Sequence, residues 1–66
     1  MDITVNGEEK CFKGPLTVAG LLSELALEPR KIAVERNLEI VPKSRFGETV
    51  IADGDAIEIV QFVGGG

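Results

Sequence analysis

The chain has no histidine, tryptophan or tyrosine, and its only cysteine is Cys11. Without histidine it lacks the usual general base near neutral pH and the commonest protein ligand of metal ions. A single cysteine cannot form an intrachain disulfide, and without histidine it cannot complete a zinc site. We therefore expect neither catalytic side chains nor a bound metal or cofactor.

Positive charge is also scarce, since the chain has 7 basic and 11 acidic residues and a net charge of −4. Nucleic-acid binding requires lysine and arginine against the phosphates, so an acidic chain is a poor candidate for it. An acidic surface suits a protein partner that carries a basic patch. No apolar run approaches the roughly 20 residues of a membrane span. No signal-peptide pattern follows Met1, so we expect a cytoplasmic protein that contacts no membrane.

The beginning of the chain predicts a β-hairpin. Residues 1–5 alternate between apolar and polar, which is the pattern of a half-buried strand. Asn6-Gly7 is typical of a two-residue type I′ turn, which needs positive φ at both positions. Such a turn places Val5 opposite Glu8, and on the same register Phe12 joins the core side.

A helix is expected next. Thr17 is a suitable N-cap and Pro29 prevents continuation, so the helix should end near Leu27. Apolar residues recur at i, i+3, i+4 and i+7, on one face of this helix: Val18, Leu21, Leu22 and Leu25. A helix of about ten residues is too short to be stable alone, so it must lie on the sheet.

The second half of the chain predicts short strands separated by turns. The expected elements are strands at 32–34, 39–41, 49–51 and 56–62, turns at 37–38 and 53–55, and a helical turn at 43–46 that points Phe46 inward. The last strand carries apolar residues on both faces. Two interpretations are open: the strand is covered on both sides, or Val60 and Phe62 emerge as a docking patch, and the two can hold at different points along the strand.

These elements predict an α+β domain, in which a mixed sheet of about five strands packs on one main helix. The first and last strands should be parallel neighbours, joined by a right-handed crossover through the helix. We expect one domain over residues 1–66, with an ordered core at about 1–62. The terminal glycines, Gly64, Gly65 and Gly66, resist regular structure and predict a flexible tail at 63–66.

At this point the sequence resembles the β-grasp, ubiquitin-like proteins, and more closely the ThiS-type sulfur carriers of thiamine biosynthesis. The resemblance covers the full chain and rests on these stretches: Ile3-Thr4-Val5-Asn6-Gly7-Glu8, Ala33-Val34-Glu35-Arg36-Asn37, Glu39-Ile40-Val41-Pro42 and the segment from Asp53 to Gly66. It departs from the family at three positions, where such proteins often carry Gly, Trp and His: Leu38, Phe46 and Gln61.

The resemblance implies a carrier rather than an enzyme, with the terminal carboxylate of Gly66 as the modified group. A ThiF-type, E1-like enzyme would adenylate this carboxylate with ATP. A persulfide donor such as a cysteine desulfurase would convert the adenylate into a thiocarboxylate, and a ThiG-type thiazole synthase would receive the sulfur. Gly64 and Gly65 would then form a thin delivery arm.

Two other functions stay open from the sequence. One is a related β-grasp carrier, either the small subunit of molybdopterin synthase or a carrier for cysteine synthesis or tRNA thiolation. The other is a ubiquitin-like protein modifier or binding module. For partner binding the candidates are Val60, Phe62 and Val63, which are otherwise core residues. Arg36 and Arg45 either pair with a partner's acidic groups or belong to the solvated surface.

Overall fold

The computed structural model describes residues 1–62. Its strands and helix, in chain order, are β1 (Asp2–Val5), β2 (Glu8–Cys11), β3 (Leu16–Thr17), α1 (Val18–Glu24), β4 (Ile32–Arg36), β5 (Glu39–Val41), β6 (Val50–Ile51) and β7 (Ala56–Gln61). Single turns of 3-10 helix lie at Pro29–Lys31 and Lys43–Arg45. Residues 63–66, which the sequence assigns to a tail, lie outside the described residues.

The main sheet has five strands in the order β2-β1-β7-β4-β5, and α1 packs on one face of it. β1 and β7 are parallel, whereas β7 and β4 are antiparallel, so the sheet is mixed. The predicted α+β architecture, a five-stranded mixed sheet on one helix, is therefore confirmed. The sequence did not predict the small second sheet, in which β3 pairs with β6 over two residues each.

Two tight turns set the register of the sheet. Asn6 and Gly7 connect β1 to β2 with φ of 52° and 83°, and Val5 pairs with Glu8 as predicted. Asn37 and Leu38 connect β4 to β5 with φ of 52° and 70°. Both connections have the positive φ values of a type I′ turn, which matches the right-handed twist of the flanking strands.

The helix begins where it was predicted and ends earlier. The Thr17 hydroxyl accepts the Gly20 N–H at 3.0 Å, which caps the first turn. The prediction that the helix runs to about Leu27 is wrong, because α1 ends at Glu24. Ala26 adopts φ of 58°, and the Leu27 N–H bonds back to the Leu22 carbonyl at 2.9 Å. This is a Schellman ending with alanine where glycine is usual, so the sequence signals only the later stop at proline.

The core lies between the inner face of the sheet and α1. Phe46 points inward with 5% exposure, as predicted. The buried apolar residues are Ile3, Val5, Val18, Leu21, Leu22, Ile32, Val34, Val41, Phe46, Ile51, Ile57 and Ile59. Among the described residues, no helix is long and apolar enough to cross a membrane.

Candidate functional site

The strand that leads to the terminal glycines is the central strand of the sheet. β7 lies between β1 and β4, and its side chains alternate in burial. Ile57 and Ile59 are buried against the core, whereas Ala56, Glu58 and Val60 are exposed on the opposite face. The interpretation that β7 is covered on both sides is therefore wrong. Its apolar outer residues form a surface.

That surface is apolar at the end of β7. Val60 is 60% exposed and Phe62, the last described residue, is 54% exposed. The Lys43 ammonium lies over the Phe62 ring, 5.3 Å from its centroid, within the range of a cation–π contact. Of the three docking candidates, two are thus on the surface, and Val63 lies outside the described residues. Gly64, Gly65 and Gly66 lie outside them as well.

Asn6 holds β7 at the point where β1 leaves it. The Asn6 side chain accepts the Ile59 N–H at 2.7 Å and donates to the Ile59 carbonyl at 3.1 Å. These two bonds replace the backbone partner that β1 no longer supplies, since the parallel pairing covers only Thr4 and Val5 of β1. Asn6 therefore extends the β1 side of the ladder by one residue.

Asn37 plays the same part at the start of β7. Its Oδ1 accepts the Ala56 N–H at 2.9 Å, and its backbone N–H donates to the Ala56 carbonyl at 2.8 Å. Both asparagines were predicted only as turn residues. The structure shows that their side chains also bind β7, the strand that precedes the terminal glycines.

The Asn37 side chain also contacts a buried carboxylate, that of Asp55. Its Oδ2 accepts from Arg36 Nε at 2.7 Å and from the Ala52 N–H at 2.8 Å, and its Oδ1 accepts from Asn37 Nδ2 at 3.0 Å. Burial by itself raises the pKa of Asp55. The hydrogen bonds from Ala52, Asn37 and Arg36, with the positive charge of Arg36, outweigh it and hold this pKa below its usual value of 3.8.

The two arginines differ in their surroundings. Arg36 pairs with Asp55 of its own chain, an arrangement that neither sequence-based alternative included. Arg45 lies on the surface, 3.9 Å from Glu48, in an exposed pair that contributes little to stability. The role of Asp55 was not predicted, because residues 53–55 were interpreted only as a turn. An acidic residue directly before an apolar strand was the available signal.

The described part of the chain contains no group of three or more His, Cys, Asp or Glu side chains that could bind a metal. It presents instead a central strand, β7, which is hydrogen-bonded along both edges and ends in the exposed apolar residues Val60 and Phe62. An exposed apolar patch of this kind is typical of a surface that binds another protein.

The chain is similar to ThiS proteins in both sequence and structure. The family model described as "ThiS family" matches residues 3–66. The sulfur carrier protein ThiS of Bacillus subtilis is 45% identical over 65 residues, which are 97% of this chain and 98% of that protein. A crystal structure of the thiamine biosynthesis protein ThiS from Geobacter metallireducens superposes with a TM-score of 0.86 at 39% identity, with 100% of both chains covered.

Longer relatives contain a similar region. A thiazole synthase of Paramagnetospirillum magneticum is 54% identical over all 66 residues, and one of Magnetococcus marinus is 42% identical over the same length. This chain spans 20% of the length of each of these two proteins.

Proposed function

The chain belongs to the ThiS family of sulfur carriers in thiamine biosynthesis, and from this premise we propose that the carboxylate of Gly66 carries the sulfur. The observation that carries the proposal is the family match, which continues through Gly64, Gly65 and Gly66 to the last residue. The position of β7 supports it, because the strand before the glycines is held on both sides by the sheet. The protein is a small carrier, and its chemistry is performed on it by partners.

The proposed chemistry has two stages. A carboxylate resists nucleophilic attack, so a ThiF-type enzyme first joins Gly66 to AMP and releases pyrophosphate from ATP. The outer sulfur of a persulfide, for example on a cysteine desulfurase, then attacks the acyl carbon, and AMP leaves. A second thiol cleaves the resulting sulfur–sulfur bond, is itself oxidised to a disulfide, and releases the thiocarboxylate. A ThiG-type thiazole synthase takes up this sulfur for the thiazole ring.

The terminal glycines have no side chains that would obstruct entry into a partner's active site. Glycines at 64–66 add no Cβ, so they fit a channel too narrow for other residues. We assign Val60, Phe62 and Val63 to the surface that meets these partners, since the first two are exposed at the end of the described chain. The cytoplasmic location expected from the sequence belongs to the same proposal.

The test is the intact mass of the protein after incubation with a ThiF-type enzyme, ATP and a persulfide donor. We expect one oxygen to be replaced by sulfur. Deletion of Gly66 should abolish the change, because the new carboxylate falls short by roughly 3.5 Å. Cys11→Ser, which removes the only thiol, should still gain sulfur. Sulfur gain by the truncated protein, or its loss in Cys11→Ser, would contradict the proposal.

A further inference from the structure

The edge of β7 that faces β1 is open at Gln61. Backbone N–H and C=O groups point alternately to the two sides of a strand. Ile57 and Ile59 direct theirs toward β1, since the Ile57 carbonyl accepts the Asn6 N–H at 2.9 Å and Ile59 bonds the Asn6 side chain. Phe62 points the other way, and its N–H donates to the Lys31 carbonyl at 2.8 Å.

Gln61 therefore directs its N–H and C=O to the side of β1, where the chain has already turned away at Asn6. Within residues 1–62, the β1 pairing of β7 ends at Ile57, and no other bond to the Gln61 N–H or C=O is found on this side. An open N–H and C=O pair on the edge of a strand is a template for another extended chain. A helix cannot use it, because its own backbone groups are already bonded internally.

A groove of about 340 Å³ runs beside this open edge, on the side of the sheet that carries α1. Leu25 and Leu27, which lie just after the helix, line it together with Glu8 and Lys10 of β2. Ile59 and Gln61 of β7 line it as well. A strand that pairs with Gln61 would direct alternate side chains into this groove.

We propose that an extended segment of thiazole synthase adds to β7 here, accepting the Gln61 N–H and donating to the Gln61 carbonyl, with an apolar side chain between Leu25 and Leu27. In this mode of recognition the backbone bonds provide affinity and the side-chain pocket provides specificity. The choice of partner rests on the proposed function and on the two thiazole synthases that contain a region matching this whole chain. Pairing at Gln61 would fix the backbone five residues before Gly66, which gives the extended end of the chain a reach of roughly 17 Å.

Amide hydrogen exchange of the unmodified protein tests the pairing directly. In the free protein the Gln61 N–H should exchange at least about tenfold faster than those of Ile59 and Phe62, which are bonded. In the complex with purified thiazole synthase, Gln61 should gain at least about tenfold protection. A Gln61 N–H that is already protected in the free protein, or gains nothing in the complex, overturns the proposal.

Two substitutions at one position separate backbone from side chain. Gln61→Pro removes the N–H that has no partner in the described fold, whereas Gln61→Ala keeps it and removes the side chain. We expect Gln61→Pro to bind thiazole synthase at least about tenfold more weakly and Gln61→Ala to bind within about threefold of the original. Equal losses in both variants would overturn strand addition. If Gln61→Pro does not fold, replacement of the Gln61 amide by an ester through chemical ligation applies the same test.

Sulfur loading distinguishes this proposal from the function on which it rests. Gln61→Pro should still gain sulfur from the adenylating enzyme and the persulfide donor, as measured by intact mass. Loading without binding to thiazole synthase is the expected result. Loss of loading in Gln61→Pro, with binding to thiazole synthase retained, would assign the edge to the adenylating enzyme and overturn the choice of partner. Absence of loading in the original protein would overturn the proposed function alone.

Discussion

Replacing Asp55 by asparagine tests the most highly bonded side chain of the described fold. The two Asp55 oxygens accept from three donors, on Arg36, Ala52 and Asn37. Asparagine has one oxygen, so its NH₂ group must face at least one donor. The least costly orientation keeps the oxygen toward Arg36 and Ala52 and sets the NH₂ against Asn37 Nδ2.

The cost can be estimated from these contacts. Two donors that face each other at a buried site lose about 1–2 kcal/mol. The bond to Arg36 loses its charge assistance, which we reduce to about 1 kcal/mol because the Arg36 side chain is 35% exposed. The total is about 2–3 kcal/mol, a large share of the stability of a small domain. The midpoint of thermal unfolding should fall by roughly 8–24 °C.

The effect should also depend on pH. The folded-state pKa of Asp55 lies below its ordinary value of 3.8, so this carboxylate stabilises the fold fully above that value. Its contribution is lost as the pH falls from 3.8 through the lower folded-state pKa. The free energy of unfolding of the original protein should therefore fall more steeply in this range than that of Asp55→Asn.

Chemical unfolding monitored by circular dichroism, at neutral pH and over the acid range from about pH 5 downward, provides the measurement. Asp53→Asn is the matched control, because it removes the same charge from the same turn at an exposed position, where asparagine keeps an oxygen that can accept the Asp2 N–H. The control should change stability by less than about 0.5 kcal/mol. Equal effects of the two substitutions, or a loss below about 0.5 kcal/mol for Asp55→Asn, would refute the reasoning.

Three further predictions concern turns and surfaces. Leu38→Gly should stabilise the fold by about 0.5–1 kcal/mol, because Leu38 is 86% exposed and holds φ of 70°, and a lower midpoint of thermal unfolding would contradict this. Asn6→Gly should destabilise it by about 1–2 kcal/mol in chemical unfolding, since it keeps the turn but loses both bonds to Ile59; an unchanged value would show that water replaces them. Phe62→Ser should weaken binding to thiazole synthase about tenfold in calorimetry with stability changed by less than about 1 kcal/mol, and unchanged affinity would remove Phe62 from the docking surface.

Most of the fold was predictable because local signals and global topology agree. Asn6-Gly7 sets the first hairpin, and the apolar repeat from Val18 places the helix on the sheet. The helix end was not predictable, since alanine at position 26 takes a conformation that glycine usually signals. The pairing of β3 with β6 was not predictable either, because two-residue strands have no periodicity to detect.

The candidate site was likewise predictable from the sequence only in part. The glycines and the apolar end of β7 are visible in the sequence, so Val60 and Phe62 could be named as candidates, but only the structure shows that they are exposed rather than buried. The polar contacts around Asp55 and Asn6 join residues far apart in the chain, and no local pattern reports such a contact. The open edge at Gln61 depends on where β1 turns away, which only the three-dimensional register reveals.

The parallel pairing of β1 with β7 governs how the chain folds. It pairs Thr4 with Ala56, 52 positions further along the chain. Contacts of such long sequence separation slow folding, because a large loop must close before they form. Without β7 the sheet separates into the β1–β2 and β4–β5 hairpins, and isolated hairpins are marginal in water. A carrier cut within its last strand should therefore unfold and be degraded, rather than persist as an inactive competitor for its partners.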